Sequence, residues 1–196
     1  METKNLRERT RGAVAREIAL AAVELFVTRG YEATTINDIA AAVGMSQRSV
    51  FRYFPTKEDI IVGKLELNSG AILDGLRARP AGEPEWVSLR RLFDVMDVPD
   101  RNMRPIQRIV LETPALHAVY LQKLQGLQRA AATVLVERAA AAGRPHAAAD
   151  LAADALAAAA FGCFVVAQYA WLAAPDDAPI AVYLDRAMAV IAPIAQ

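Results

Sequence analysis

Apolar residues recur at three- and four-residue spacing along nearly the whole chain, and no stretch alternates as a half-buried strand does. Val14, Ile18, Ala21, Ala22, Leu25 and Phe26 form one face of a helix expected over 11–29, closed by Gly30. Ile36, Ile39, Ala40 and Val43 mark a second, with Thr34 or Thr35 as its cap and Asp38 available to complete a capping box. Gly44 breaks it where a positive φ is often needed, and Ser46 can cap a third helix through its hydroxyl. Val50 and Phe54 give that third helix a narrow buried stripe, while Gln47, Arg48, Ser49, Arg52 and Tyr53 lie mostly off it. Ala40, Gly44 and Val50 have the small, turn-forming and aliphatic character that lets two short helices cross closely. The pattern is that of a helix-turn-helix, whose second helix is suited to a DNA major groove.

The pattern beyond residue 54 is also helical. Thr56 caps a helix expected to run to about residue 78, with Glu58 and Asp59 in its first turn. Further helices are expected over 85–97, 102–111, 117–142 (with Thr113-Pro114 starting or bounding it), 146–174 and 180–192, separated by proline- or glycine-containing links. The fold class is therefore all-α. A three-helix, N-terminal helix-turn-helix domain is expected over residues 1–57 and a C-terminal helical domain for ligand binding and dimerisation over 58–196.

Composition changes this picture at three points. The chain has 196 residues, 55% of them hydrophobic, enough for a real core. Its formal net charge is zero, which argues against a protein that coats nucleic acid indiscriminately. Residues 1–57 nevertheless carry nine Lys and Arg against six Asp and Glu, a surplus of three balanced by an acidic remainder. The lone Cys163 excludes an internal disulfide and a cysteine-based zinc site, and the polar start METKNLRERTRG does not read as a secretory signal. A cytoplasmic protein is expected. The segment 155–174, ALAAAAFGCFVVAQYAWLAA, is long enough to span a bilayer. Its apolar content is mostly alanine, and aspartates without nearby Lys or Arg anchors flank it, so a central or subunit-interface helix is the expectation and no membrane partner.

Residues 11–65 resemble the tetracycline-repressor (TetR) family of bacterial regulators. Phe26, Gly30-Tyr31, Thr34-Thr35, Ala40, Gly44, Phe51, Tyr53-Phe54 and Lys57-Glu58 match that family's pattern. The resemblance implies a homodimer that binds a palindromic double-stranded DNA operator and releases it when a small molecule fills the body. It implies that Thr35 and Lys57 contact phosphates from two helix N-termini, that Gln47, Arg48 and Arg52 face base edges, and that Ser46 and Tyr53 meet the backbone, with Ser49 on the same face. Phe51 stands where many members have tyrosine, so a phenol–phosphate contact is missing. Phe51 is left to pack, or to touch a sugar or a thymine methyl.

The body carries no comparable code. Trp86, Phe93, Met96, Tyr120, Phe164, Gln168 and Tyr169 are candidates to line a pocket for a small apolar or aromatic effector, each with ordinary core packing as its alternative. Met103, Phe161 and Trp171 belong to the same group. Leu151, Ala155, Ala158, Ala159, Gly162 and Val166 offer small residues to a second helix. With the last helix they suit a four-helix dimer interface. No catalytic residue, metal site or cofactor is expected: His117 and His146 stand at helix starts without partners at motif spacing, and no phosphate loop or nucleophile motif occurs. A ligand-responsive transcriptional regulator, most simply a repressor and not an enzyme, is the expectation. The alternative is a small-molecule or acyl-chain binding module that no longer reads DNA.

Overall fold

The computed structural model describes residues 2–62, 69–95, 104–143 and 151–192, with side chains described throughout except at 2–9 and 95. Met96, Met103 and His146 lie outside these residues. Among the described residues all regular structure is α-helix: α1 (Glu2–Arg29), α2 (Ile36–Ala42), α3 (Gln47–Tyr53), α4 (Lys57–Val62), α5 (Ser69–Arg77), α6 (Glu85–Val95), α7 (Arg104–Glu112), α8 (Pro114–Ala141), α9 (Ala152–Ala173) and α10 (Ile180–Ile191).

Two starts differ from expectation, those of α1 and α9; α9 begins at Ala152, with Leu151 as its N-cap, and not at residue 146. α1 begins at Glu2 and not at residue 11. Residues 2–10 lack an apolar stripe but are rich in Leu, Lys, Arg and Glu, whose helix propensity extends a helix without burial. α8 begins at Pro114, the earlier of the starts open in the sequence, because a proline in the first helical position lacks only an N–H that has no intrahelical partner there.

The chain divides into two compact units. The first comprises Met1–Lys64 with Pro105–Tyr120, and so extends past residue 57 and includes the first turns of α8. Its core is Ile18, Ala22, Phe26, Tyr31, Ile36, Ile39, Ala40, Val50, Ile60 and Leu116. The expected punctuation is present in it. Gly30 (φ 88°) closes α1, and Gly44 (φ 64°) makes the turn between α2 and α3, where the Met45 amide donates to the Ala40 carbonyl at 2.9 Å. Thr56 caps α4 by accepting the Asp59 amide at 3.2 Å.

The second unit comprises Leu65–Arg104 and Leu121–Gln196. α9 packs against α10 and α6, and α5 against α6. Phe93 of α6 stacks on Phe164 of α9 (centroids 4.7 Å apart, 17° between planes) and meets Phe161 edge-on at 5.2 Å. The Trp86 indole N–H donates to the Ala192 carbonyl at 3.1 Å. Arg90 is buried and binds Asp94 at 2.5 Å together with Asp185 of α10, so this cation is paired twice. By length and composition alone α9 could cross a membrane. Ala153, Ala157, Ala160, Phe161, Phe164, Ala167, Gln168 and Trp171 are buried inside the unit, which accounts for much of that apolar composition. The opposite side of α9, with Ala155, Ala158, Gly162, Val166 and Tyr169, is exposed.

Candidate nucleic-acid interface

The candidate site is built on the first unit by two caps and a turn. Thr35, not Thr34, caps α2. Its hydroxyl accepts the Asp38 amide at 3.2 Å, and the Asp38 carboxylate accepts the Thr35 amide at 2.8 Å and the Thr35 hydroxyl at 2.5 Å. These bonds from Thr35 hold the Asp38 carboxyl below its usual range. Thr34 is buried and donates its hydroxyl to the Gly30 carbonyl at 2.8 Å. Ser46 caps α3 by accepting the Ser49 amide at 3.2 Å, and the two serine hydroxyls lie 2.9 Å apart.

Those bonds fix which face of α3 looks outward. Val50 is fully buried, whereas Gln47, Arg48, Phe51 and Arg52 are exposed and Ser49 and Tyr53 half-buried. Phe51 is 43% exposed and does not join the core. The Arg52 guanidinium carbon lies 5.7 Å from the Tyr53 ring centroid. Seven residues thus carry one fully buried side chain, a half-buried Tyr53 packed against the core, and a broad polar face with two guanidinium groups able to donate in pairs to a guanine edge.

Lys57 is placed differently from a free phosphate ligand. Its ammonium donates to the Tyr31 carbonyl at 2.9 Å and the Thr34 carbonyl at 3.1 Å. The neighbouring Glu58 accepts the Tyr31 phenol at 2.6 Å. Burial and that bond raise the Tyr31 phenol well above its ordinary range. Burial pushes Glu58 up, but the bonds it accepts from Tyr31, from its own amide and from Thr56 outweigh this, and it lies below its usual value. Arg11 was not among the expected site residues. It donates to the Arg52 carbonyl at the C-terminal end of α3 (3.5 Å), where a cation suits the helix dipole. Its only trace in the sequence is a basic residue at the start of the first apolar stripe.

In the second unit, Trp86, Phe93, Phe164 and Gln168 are buried and Tyr169 is exposed, whereas Tyr120 belongs to the first unit. A groove of about 480 Å³ instead lies between α8 and α9, lined by Leu121, Gln122, Gln125 and Gln128 on one wall and Phe161 and Gly162 on the other. None of the candidates Trp86, Phe93, Tyr120, Phe164, Gln168 or Tyr169 lines it. A row of glutamines at three-residue spacing was its signal in the sequence. Cys163 is buried, which raises its thiol above the ordinary range. Among the described residues no group of three His, Cys, Asp or Glu side chains could hold a metal ion.

An exposed, capped reading helix on a helix-turn-helix unit, followed by a separate all-helical unit, defines the class of helix-turn-helix regulators. A family model described as bacterial regulatory proteins, tetR family, matches residues 18–62, and a model of the MftR C-terminal domain matches residues 89–196. The chain belongs to the tetR family of bacterial regulatory proteins. The HTH-type transcriptional regulator TcmR of Streptomyces glaucescens is 32% identical over 140 residues, 66% of this chain and 60% of TcmR, so this chain spans well under the whole of that relative. Two solved structures share the fold. The fatty acid degradation regulator FadR of Bacillus halodurans has a TM-score of 0.61 at 17% identity, covering 90% of this chain and 93% of that one. Thermus thermophilus FadR, a TetR-family repressor in complex with lauroyl-CoA, has a TM-score of 0.53 at 21% identity, covering 90% and 92%.

Proposed function

We propose that this chain is a ligand-responsive transcriptional repressor that reads a near-palindromic operator as a homodimer in the cytoplasm. The observation that carries the reading is α3: Val50 alone is buried while Gln47, Arg48 and Arg52 are exposed on a helix whose N-terminus is capped by Ser46. Residues 1–57 read the DNA, with Arg48, Arg52 and Gln47 at base edges and Thr35, Ser46 and Tyr53 at the backbone. The second unit, within residues 58–196, holds the effector and the dimer interface. The exposed small residues Ala155, Ala158 and Gly162, beside Val166, support that interface, Ala158 and Gly162 lining the groove between α8 and α9 as well. The groove between α8 and α9 supports an uncharged effector, apolar or aromatic with a polar group, because Phe161 and three glutamines line it and no charged side chain does.

Selection from a random duplex pool tests the reading. The wild-type chain should enrich a near-palindrome whose half-sites are about one helical turn, roughly 34–36 Å, apart. Log affinity for the selected duplex should fall linearly with log salt. Equal affinity for scrambled DNA, or no salt dependence, defeats the proposal and leaves a binding module that does not read DNA.

A further inference from the structure

α4 begins with two residues that grip the same link. Lys57 Nζ reaches two carbonyls of that link, of Tyr31 and Thr34, and lies 3.9 Å from the Tyr31 ring centroid, over its negative face. Glu58 takes the phenol of the same tyrosine. The link runs from Gly30, where α1 closes at a positive φ, to Thr35, which caps α2. An ammonium held by two carbonyls and a ring face has little to gain by turning to a phosphate, because two backbone carbonyls would then lose a donor. Thr34 immediately precedes the cap, and its own hydroxyl is tied back to Gly30.

We propose that Lys57 is a positioning residue for DNA reading and not a phosphate ligand. It braces the link 30–35, and through it the Thr35–Asp38 cap at the start of α2, and it keeps those partners when DNA binds. The role rests on the DNA-reading function proposed above.

Nuclear magnetic resonance on the full wild-type chain tests it without any substitution. The Tyr31 ring current shifts the Lys57 Hε protons upfield, and that shift should persist when the duplex selected by the wild-type chain is added. Its disappearance on adding the duplex overturns the proposal. The variant Lys57→Met keeps the stem and removes the charge. Its affinity for the selected duplex should fall roughly tenfold, as loss of a helix cap would predict. The slope of log affinity against log salt should match wild type, and the amides from Thr35 to Asp38 should exchange faster. A slope shallower by about 0.9 marks one lost phosphate contact and overturns the proposal, as does unchanged exchange at those amides. If Lys57→Met does not fold, the wild-type ring-current shift decides alone. A wild-type chain that selects no duplex defeats the reading function and this role together, whereas a bound duplex with a lost ring shift defeats this role alone.

Discussion

On α3 the division of labour between neighbouring residues is sharp. Val50 is fully buried and supports the fold, while Gln47 and Arg48 are exposed and hold nothing in place. Arg48→Ala and Gln47→Ala should therefore leave the melting temperature of the free protein unchanged. Each should reduce discrimination for its preferred base by about 1–3 kcal/mol, read from binding to a panel of single-base variants of the selected duplex. An unchanged preference profile for Arg48→Ala would move that side chain out of the groove. Lys57 and Arg48 are both basic residues. They differ in their surroundings, since one reaches two carbonyls and an aromatic face and the other points outward.

Among the elements, local geometry gives one substitution opposite effects at two glycines. At Gly44 (φ 64°) an added Cβ meets nothing within 4 Å, so Gly44→Ala should cost about 1–2 kcal/mol through backbone conformation alone. Gly126 sits in the interior of α8, also with open space, and Gly126→Ala should stabilise by about 0.5–1 kcal/mol. Calorimetric melting of both variants checks the pair, and a shift of the same sign at both would refute this account of the α2–α3 turn. The loop between α5 and α6 carries a pH dependence. Two Arg79 donors and the Ser88 hydroxyl (2.7 Å) bind the Glu83 carboxylate and hold its pKa at about 2. A folded value below the unfolded one means that the contribution is complete above the ordinary glutamate range and is lost as pH falls through it toward 2. Acid titration followed by tryptophan fluorescence reads this unit, because Trp86 and Trp171 both belong to it. Glu83→Gln should flatten the acid limb, and an unaltered limb would assign it to other carboxylates.

The whole-molecule predictions concern assembly and control. Gly162 is exposed and a Cβ added there meets nothing within 4 Å inside one protomer, so a side chain at this position starts into open space. In a dimer packed through that face the carboxylate of Gly162→Asp is buried without a partner, at a cost of about 3–5 kcal/mol. Sedimentation equilibrium should show Gly162→Asp as a folded monomer with weakened operator binding; a variant that stays dimeric would place the interface elsewhere. Effector and operator should also oppose each other by one common factor, because coupling free energy is reciprocal. Calorimetric titration of an inducing compound with and without the selected duplex should give affinities that differ by that factor. Equal affinities would mean that the compound does not act through a second site.

The sequence by itself determined that the chain is helical, where most helices lie, and the caps and turns of the helix-turn-helix, with Thr34 and Thr35 both open as the cap of α2. Thr35, Ser46 and Thr56 cap through bonds that span three residues, and Gly30, Gly44 and Gly143 supply positive φ as a property of a single residue. These signals are local and survive in a one-dimensional reading. The apolar periods likewise showed that α9 would be nearly uniform in character and that Val50 would face inward. Only the tertiary structure decided what each face meets. Lys57 finds its carbonyls 26 and 23 residues away, the Tyr31 phenol finds Glu58 across 27, and Arg90 finds Asp185 across 95. It also decided that Phe93 and Phe164 stack as core, that Tyr120 joins the first unit, and that glutamines of α8 face a groove beside α9. Periodicity identifies a buried stripe but not its partner, because burial depends on apolar area removed from water and any apolar surface can supply it.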